Sequence, residues 1–368
     1  MTKVRGNWLL TIILSAVLIL TGVALAGCSG GSDGSADTSS GDNDAAEQEV
    51  ITLTFTSFST LPQTAAKVDH EFIKRIEEVT NGRVKFQYYG GGTLISGNDA
   101  AAELGSGVAD FGIPRVGYSP HGYDLNKAYM TFMFNCDPYD AEMELDIAHQ
   151  IFAQYPQFDQ EFLENGMVPY AGNASGTSRA LFTTKPIKSL DDLKGASIRA
   201  TGNWAEIVKG LGAEPVNIPI SETYLALEKG TVDGVIGLAT FTLEADKLAE
   251  VVKYCYDLKV NFAPIYEWAF CKATWDKLPD DIKQVFIDNR DFLEMKSVEI
   301  NVADTLPAEE YAKSLGVQFL ELSDEDQAKL YDVIDKVNRQ VAADLDAKGI
   351  PGTEIYEATQ KLIKEYKK

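Results

Sequence analysis

The stretch SGTSRALFTTKPIKSLDDLKGASIRATGNW (residues 175–204), continued by NIPISETYLALEKGTVDGVIG (217–237), decides how the rest of the chain is read. Arg199 sits in a short β-like run, Ala196 to Ala200, that ends at Thr201 and Gly202. Twenty residues upstream, Arg179 ends the small polar run Ser175 to Ser178 and leads into Ala180, Leu181, Phe182 and Thr183. A guanidinium at a strand end is always charged, and its fork matches a carboxylate through two parallel hydrogen bonds. The residues therefore point to capture of a small organic anion without chemistry on it. The competing role for either arginine is a structural salt bridge.

Ser189 is placed to cap a short helix whose first turn holds Asp191 and Asp192, with Gly195 ending it. Those two acids then have a structural use and need not pair with Arg199. Ser221 is expected to cap the helix that ends at Gly230. Beyond it, Gly230-Thr231-Val232-Asp233-Gly234-Val235-Ile236 echoes Gly107-Val108-Ala109-Asp110-Phe111-Gly112-Ile113 as G-x-[AV]-D-x-x-I. Each glycine suits a helix C-terminal turn, and each aspartate is expected to hold the turn that follows it. Two echoes at the same step, helix into buried strand, imply two similarly built α/β lobes. Ligands of open α/β sheets lie beyond the carboxyl ends of the strands. The residues after each echo, Pro114, Arg115 and Tyr118 in one case and Gly237 to Thr240 in the other, thus face a shared cleft. Arg115 is a third candidate cation, its alternative being a solvated loop position.

These motifs resemble the solute-binding subunit of TRAP (tripartite ATP-independent periplasmic) transporters. The pattern R-x9-11-L-x-D-L-K-G-x-x-I-R runs from Arg179 through Leu190, Asp192, Leu193, Lys194, Gly195 and Ile198 to Arg199. The pattern P-x-S-E-x-Y-x-A-L-x-x-G-x-V-D-G runs from Pro219 to Gly234, and Thr80 to Val84 and Trp275 to Pro279 also fit. The resemblance implies a two-lobed, type II periplasmic-binding-protein-like α/β fold with a hinge, a ligand cleft between the lobes and long C-terminal helices. It implies Arg199 as the main carboxylate clamp, Arg179 as a second contact, and membrane subunits of a TRAP permease as partners. The family often carries an asparagine a few residues past its V-D-G, where this chain has Gly237, and many members carry an aromatic where Ile220 stands. Phe58 and Trp204 are placed to supply aromatic contact. These departures point to a monocarboxylate with a largely apolar or aromatic body.

The totals limit the alternatives. With 368 residues, 45% of them apolar, the chain can fill two cores. A formal charge of -22 argues against nucleic acid or anionic lipid as a partner and requires an anion site to concentrate its own arginines. His70, His121 and His149 are far apart, and no metal-binding or cofactor motif occurs, so no metal and no cofactor are expected. The Gly90-Gly91-Gly92 run lacks the Lys-Ser/Thr ending of a phosphate loop and reads as a turn. Without a nucleophile elbow or paired histidines, an enzyme of the cell surface is the weakest reading. A binding module for a membrane sensor would have the same soluble sequence.

Residues 1–27 carry Lys3 and Arg5, the apolar run Trp8 to Leu20, then small residues, the layout of a secretory signal. Leu25-Ala26-Gly27-Cys28 resembles a bacterial lipobox, which implies a lipid anchor at Cys28 on an exported protein, on the outer face of the membrane or in the periplasm. Residues 28–49, rich in Ser, Gly and acids, read as a disordered tether of roughly 25 Å. One lobe is expected from 50–174 with about 262–305, the other from 175–261 with about 306–350, and a last helix from 351–368, as a monomer. Helices are expected over 65–80, 139–155, 280–305 (with Pro307 kinking or ending it) and from Ser323 to Leu345. Of Cys136, Cys255 and Cys271, one pair can form, with Cys255 and Cys271 nearest in sequence; the alternative is three buried thiols.

Overall fold

The computed structural model describes residues 49–367 apart from 96, 136–139 and 262. The signal-like segment, Cys28, most of the tether and Cys136 lie outside the described residues. The first strands in chain order are β1 (Ile51–Thr56), β2 (Val84–Tyr89), β3 (Phe111–Gly112) and β4 (Met167–Gly172). They are followed by β5 (Arg179–Thr183), β6 (Ser197–Arg199), β7 (Glu214–Val216), β8 (Gly234–Ala239), β9 (Tyr254–Asp257), β10 (Tyr266–Cys271) and β11 (Gln318–Glu321).

They form two mixed sheets. One has the order β2-β1-β3-β10-β4, the other β11-β9-β5-β8-β6-β7. In the first, β1 runs parallel to β2 and β3, and β10 is inserted antiparallel beside β3. In the second, β6 runs parallel to β7 and β8, and β5 is inserted antiparallel beside β8. The two sheets are thus the same design, each closed by one strand that the chain sends across from the other half. The short apolar runs that make up the inner strands are buried, as in sheets covered on both faces.

The two echoes occupy matching places. Gly107 and Gly230 both have positive φ, 90° and 68°, and both end a helix through a backbone bond to the residue three before, Leu104 and Leu227. The aspartates do something other than brace their own turns. Asp110 accepts from Thr54 N at 2.8 Å while its own N–H donates to Thr54 O at 3.0 Å. Asp233 accepts from Ser197 N at 3.0 Å while its N–H donates to Ser197 O at 2.7 Å. Each aspartate therefore fastens the neighbouring parallel strand, supplying the first rung of pairing before the ladder begins.

The chain crosses between the sheets at 173–178 and 258–265, and the helix Arg290–Ser314 lies along the first of these crossings. Glu294 accepts from Gly172 N at 2.6 Å, Ser297 donates to Asn173 Oδ1 at 2.8 Å, and all three polar side chains of the stripe Glu294, Ser297 and Asn301 are buried. The expected long helix is in fact two, Asp280–Asp288 and Arg290–Ser314. Asn289 breaks it: its amide donates to Val285 O and its carbonyl accepts from Arg75, drawing the backbone out of register. Pro307 neither ends nor divides the second helix. Helices Thr64–Val79, Ala141–Gln154, Asp324–Ala347 and Gly352–Tyr366 stand within a few residues of the sequence expectation. The last packs against the two before it, its Tyr356 donating to Asp335 at 2.8 Å.

Ser189 caps its helix, its hydroxyl accepting from Asp191 N while its own N–H donates to the Asp192 carboxylate, and Ser323 accepts from Asp326 N. Ser221 does not cap: Pro219 holds that position, and the helix Ile220–Glu228 already includes the serine. Cys255 and Cys271 are buried free thiols on β9 and β10, in different sheets, so they pack as small hydrophobes rather than pairing. No helix among the described residues is long and apolar enough to cross a membrane.

Candidate ligand cleft

The carboxyl ends of β1, β3, β6 and β8 meet around a cleft with two connected chambers, of about 510 and 230 Å³. Arg115, Tyr118, Asn173, Arg179, Leu238 and Glu267 border both, so they mark the junction. Arg199, Trp204 and Gly237 border the smaller chamber. Phe58 and Ile220 border the larger. All eight residues singled out from sequence, including Tyr118, thus lie on this one cleft.

The arginines come from three elements. Arg199 ends β6 and is only 2% exposed; its Nε donates to Ile218 O at 3.1 Å and its Nη2 to Tyr118 Oη at 3.3 Å, across from the other sheet. Those two bonds leave the guanidinium's remaining N–H groups for a ligand at the chamber wall. Arg179 opens β5, anchored by its backbone to Val260 and Leu258. Arg115 follows β3 with φ at 52°, a left-handed conformation that turns its side chain between two rings. Its guanidinium lies 3.8 Å from the Phe58 ring centre and 4.4 Å from that of Tyr118. Phe58, 38% exposed, is therefore first a partner of Arg115, and the stack holds a cation in place without neutralising it.

Trp204 is 3% exposed, and its indole lies over the α-carbon of Gly237. A Cβ at Gly237 would come within 2.8 Å of the indole ring, and the backbone there has φ at 84°. The glycine and the tryptophan thus form one unit: the space that a side chain at 237 would fill is taken by the ring. The indole Nε1 is buried and has no hydrogen-bond partner among the described residues.

Two carboxylates escaped the sequence reading. Asp246, just past the helix Thr242–Ala245, borders the larger chamber. Burial raises its pKa to about 6, against the pull of Arg115 and Arg199. Glu267 borders both chambers; burial pushes its pKa up while Arg115 and Arg179 oppose the shift. The signal for Glu267 was present, a lone acid in the aromatic strand Tyr266 to Phe270, where an unused charge would be expensive. Asp246 gave none, since its burial depends on a loop with no periodicity. Behind Arg179, the buried Glu144 accepts from Asn261, and burial raises its pKa to about 8. No group of His, Cys, Asp and Glu among the described residues is arranged to hold a metal ion.

The sequence of residues 59–344 matches the family of bacterial extracellular solute-binding proteins, family 7 (DctP). A monocarboxylate 2-oxoacid-binding periplasmic protein of Nostoc sp. is 23% identical over 215 residues, covering 58% of this chain and 58% of that protein. The alignment therefore spans little more than half of that relative's length. A TRAP solute-binding protein from Rhodoferax ferrireducens, solved with copurified benzoate, superposes with a TM-score of 0.76 at 20% identity, covering 86% of this chain and 99% of the other. A TRAP periplasmic solute-binding protein from Sulfitobacter sp., solved with β-D-galacturonate, gives a TM-score of 0.71 at 18% identity, covering 84% and 99%. The fold is that of the two-lobed TRAP receptors. The family consists of extracytoplasmic solute-binding receptors and not of enzymes, and this chain, with its paired sheets and its cleft at their strand ends, belongs to it.

Proposed function

We propose that the protein captures a small organic acid in this cleft by an arginine–carboxylate clamp and delivers it to a TRAP-type membrane permease. One observation carries the reading: Arg115, Arg179 and Arg199, from three separate elements and both sheets, converge on the two connected chambers. In a chain of charge -22, cations gathered on an enclosed surface have a use that the surface as a whole does not. Arg199 is the main clamp, Arg179 the second contact, and Arg115, held by Phe58 and Tyr118, the third. The ligand's body lies in the larger chamber against Ile220, Phe58 and their apolar neighbours; Trp204 shapes the floor at Gly237. The acids named for the Nostoc, Rhodoferax and Sulfitobacter proteins each carry one carboxylate, which supports a monocarboxylate here.

An unpaired guanidinium is poorly solvated in a closed cleft, so the ligand's carboxylate favours closure by completing the ion pair. The lobes we assign, 50–174 with about 262–305 and 175–261 with about 306–350, agree with the strand membership of the two sheets. We place the lipid anchor at Cys28, with the acidic segment 28–49 as the tether. The assignment is tested by thermal-shift titration of the purified protein and of Arg199→Ala against organic acids. A carboxylate at a hundred times its dissociation constant raises the unfolding free energy of the wild type by about 2.7 kcal/mol. The variant is expected to show no shift. Equal shifts in both proteins would remove Arg199 from the clamp.

A further inference from the structure

The clamp leaves two groups of the cleft without a task. Glu267 borders both chambers and Asp246 the larger one. Among the described residues neither carboxylate has a hydrogen-bond partner for its side chain; arginines oppose the shift of each, and Glu267 in turn acts on the buried Asp69. A carboxylate in an enclosed site that lacks a protein donor needs one from elsewhere. Water serves while the cleft is open; once a ligand displaces it, the donor must come from the ligand.

The arginines and the carboxylates are unevenly placed in the cleft. Arg115 and Arg179 border both chambers and Arg199 the smaller one, whereas Asp246 borders only the larger and Glu267 both. A ligand carboxylate held at Arg199 directs the other end of the ligand past Glu267 toward Asp246. A second carboxylate, reaching into the larger chamber, would meet Glu267 and Asp246 with like charge.

We propose that Glu267, supported by Asp246, sets the specificity of this cleft: it selects a monocarboxylate that carries a hydroxyl on its body and rejects an acid with a second carboxylate in that place. The hydroxyl donates to the Glu267 carboxylate, and the negative charge that accepts this bond is the one that repels a dicarboxylate. The inference rests on the carboxylate reading above and adds the polar end of the ligand to it.

The test is calorimetric titration of the full chain with acids matched in body. Butyrate, 4-hydroxybutyrate and succinate form one series; benzoate, 3-hydroxybenzoate and isophthalate a second; gluconate and glucarate a pair. In each series that binds, the hydroxy acid is expected to be tightest and the dicarboxylate weaker by about tenfold or more, the order a like-charge contact imposes at an intermediate dielectric. Glu267→Gln is expected to narrow that ratio by about tenfold. Should this variant fail to fold, as judged by its circular-dichroism melt, Asp246→Asn carries the same test. A wild type that binds the dicarboxylate as tightly as the hydroxy acid, or a ratio unmoved by the substitution, overturns the proposal and leaves the clamp standing. Absence of binding by every acid, or equal binding by Arg199→Ala, overturns the clamp and the proposal together.

Discussion

The two sheets repeat one construction and end it differently. In each, a helix stops at a glycine, an aspartate three residues on fastens the neighbouring parallel strand, and a buried strand begins. Counted from the aspartate, Thr56 on β1 and Arg199 on β6 hold the same place: each pairs with the residue two past it, Gly112 and Val235. Thr56 is buried, and its hydroxyl has no hydrogen-bond partner among the described residues. Arg199 is equally buried, yet charged. The backbone is thus common property of both halves, and the charge for an anion is assigned at one register position of one half. Function in this fold resides in the side chains grafted at the strand ends.

That asymmetry gives the largest expected effect. Arg199→Ala removes a charge-assisted pair and should weaken carboxylate binding about 100-fold or more, close to 3 kcal/mol. Thr56→Ala, at the matching place in the other sheet, should change affinity by less than about threefold, since it removes neither charge nor a bond the protein makes. Calorimetric titration of both variants checks the contrast. Comparable losses would mean that the two strand ends share the ligand and that the comparison has no functional content.

The common part predicts likeness instead. Asp110→Ala and Asp233→Ala each remove the side-chain half of the first rung and leave a backbone N–H, of Thr54 or Ser197, without an acceptor. Each should lower stability by about 2 kcal/mol, read as a drop in urea midpoint with unchanged slope. Asp110 also accepts from Thr274, and Asp233 lies 3.3 Å from the exposed Lys185 ammonium, so neither depends on the strand alone. A loss confined to one of the two would show that the repeat is one of shape only.

This repeat was legible because it is local: a glycine that must take positive φ, an aspartate at fixed spacing and an apolar run are all short-range statements. Capping by Ser189 and Ser323 was legible for the same reason. The role of the aspartates was misjudged, because their partners lie 56 and 36 residues away on another strand. Ser221 misled because Pro219 holds the cap position, two residues before the serine, which already lies inside the helix. In the cleft, the arginines could be named from residue type and from where strands end. Glu267 shows in the sequence only as a lone acid in an aromatic strand, and Asp246 does not show at all, since its burial depends on a loop whose surroundings the sequence does not give. Surroundings also decide the role of Trp204, whose packing on Gly237 explains the missing side chain at 237 by volume rather than by chemistry.

The last effect concerns protons, and it again separates the halves. Burial raises Asp69, beneath the first sheet, to about 6, even though Trp268 donates to it at 3.1 Å and Tyr88 at 3.0 Å. Burial likewise raises Asp246, beside the second, to about 6, and Glu144 to about 8. For a carboxyl whose pKa is higher in the folded than in the unfolded chain, the folded state binds the proton more tightly, so stability falls as pH rises from the unfolded to the folded value. The window runs from about 4 to 6 for the aspartates and to about 8 for Glu144. The exposed Asp191, Asp281 and Asp346, held low by their partners, act with opposite sign only below that window. Without ligand, the melting temperature should therefore be higher at pH 5.5 than at pH 8, most of the difference coming from Glu144. Glu144→Gln should flatten the part between pH 6 and 8. Asp69→Asn and Asp246→Asn should both flatten the lower part, but only the second should also change how a bound carboxylate responds to pH, because of these two only Asp246 faces the arginines. If Asp69→Asn altered that response as much, the two halves would be electrostatically joined and the division of labour drawn from Thr56 and Arg199 would not hold.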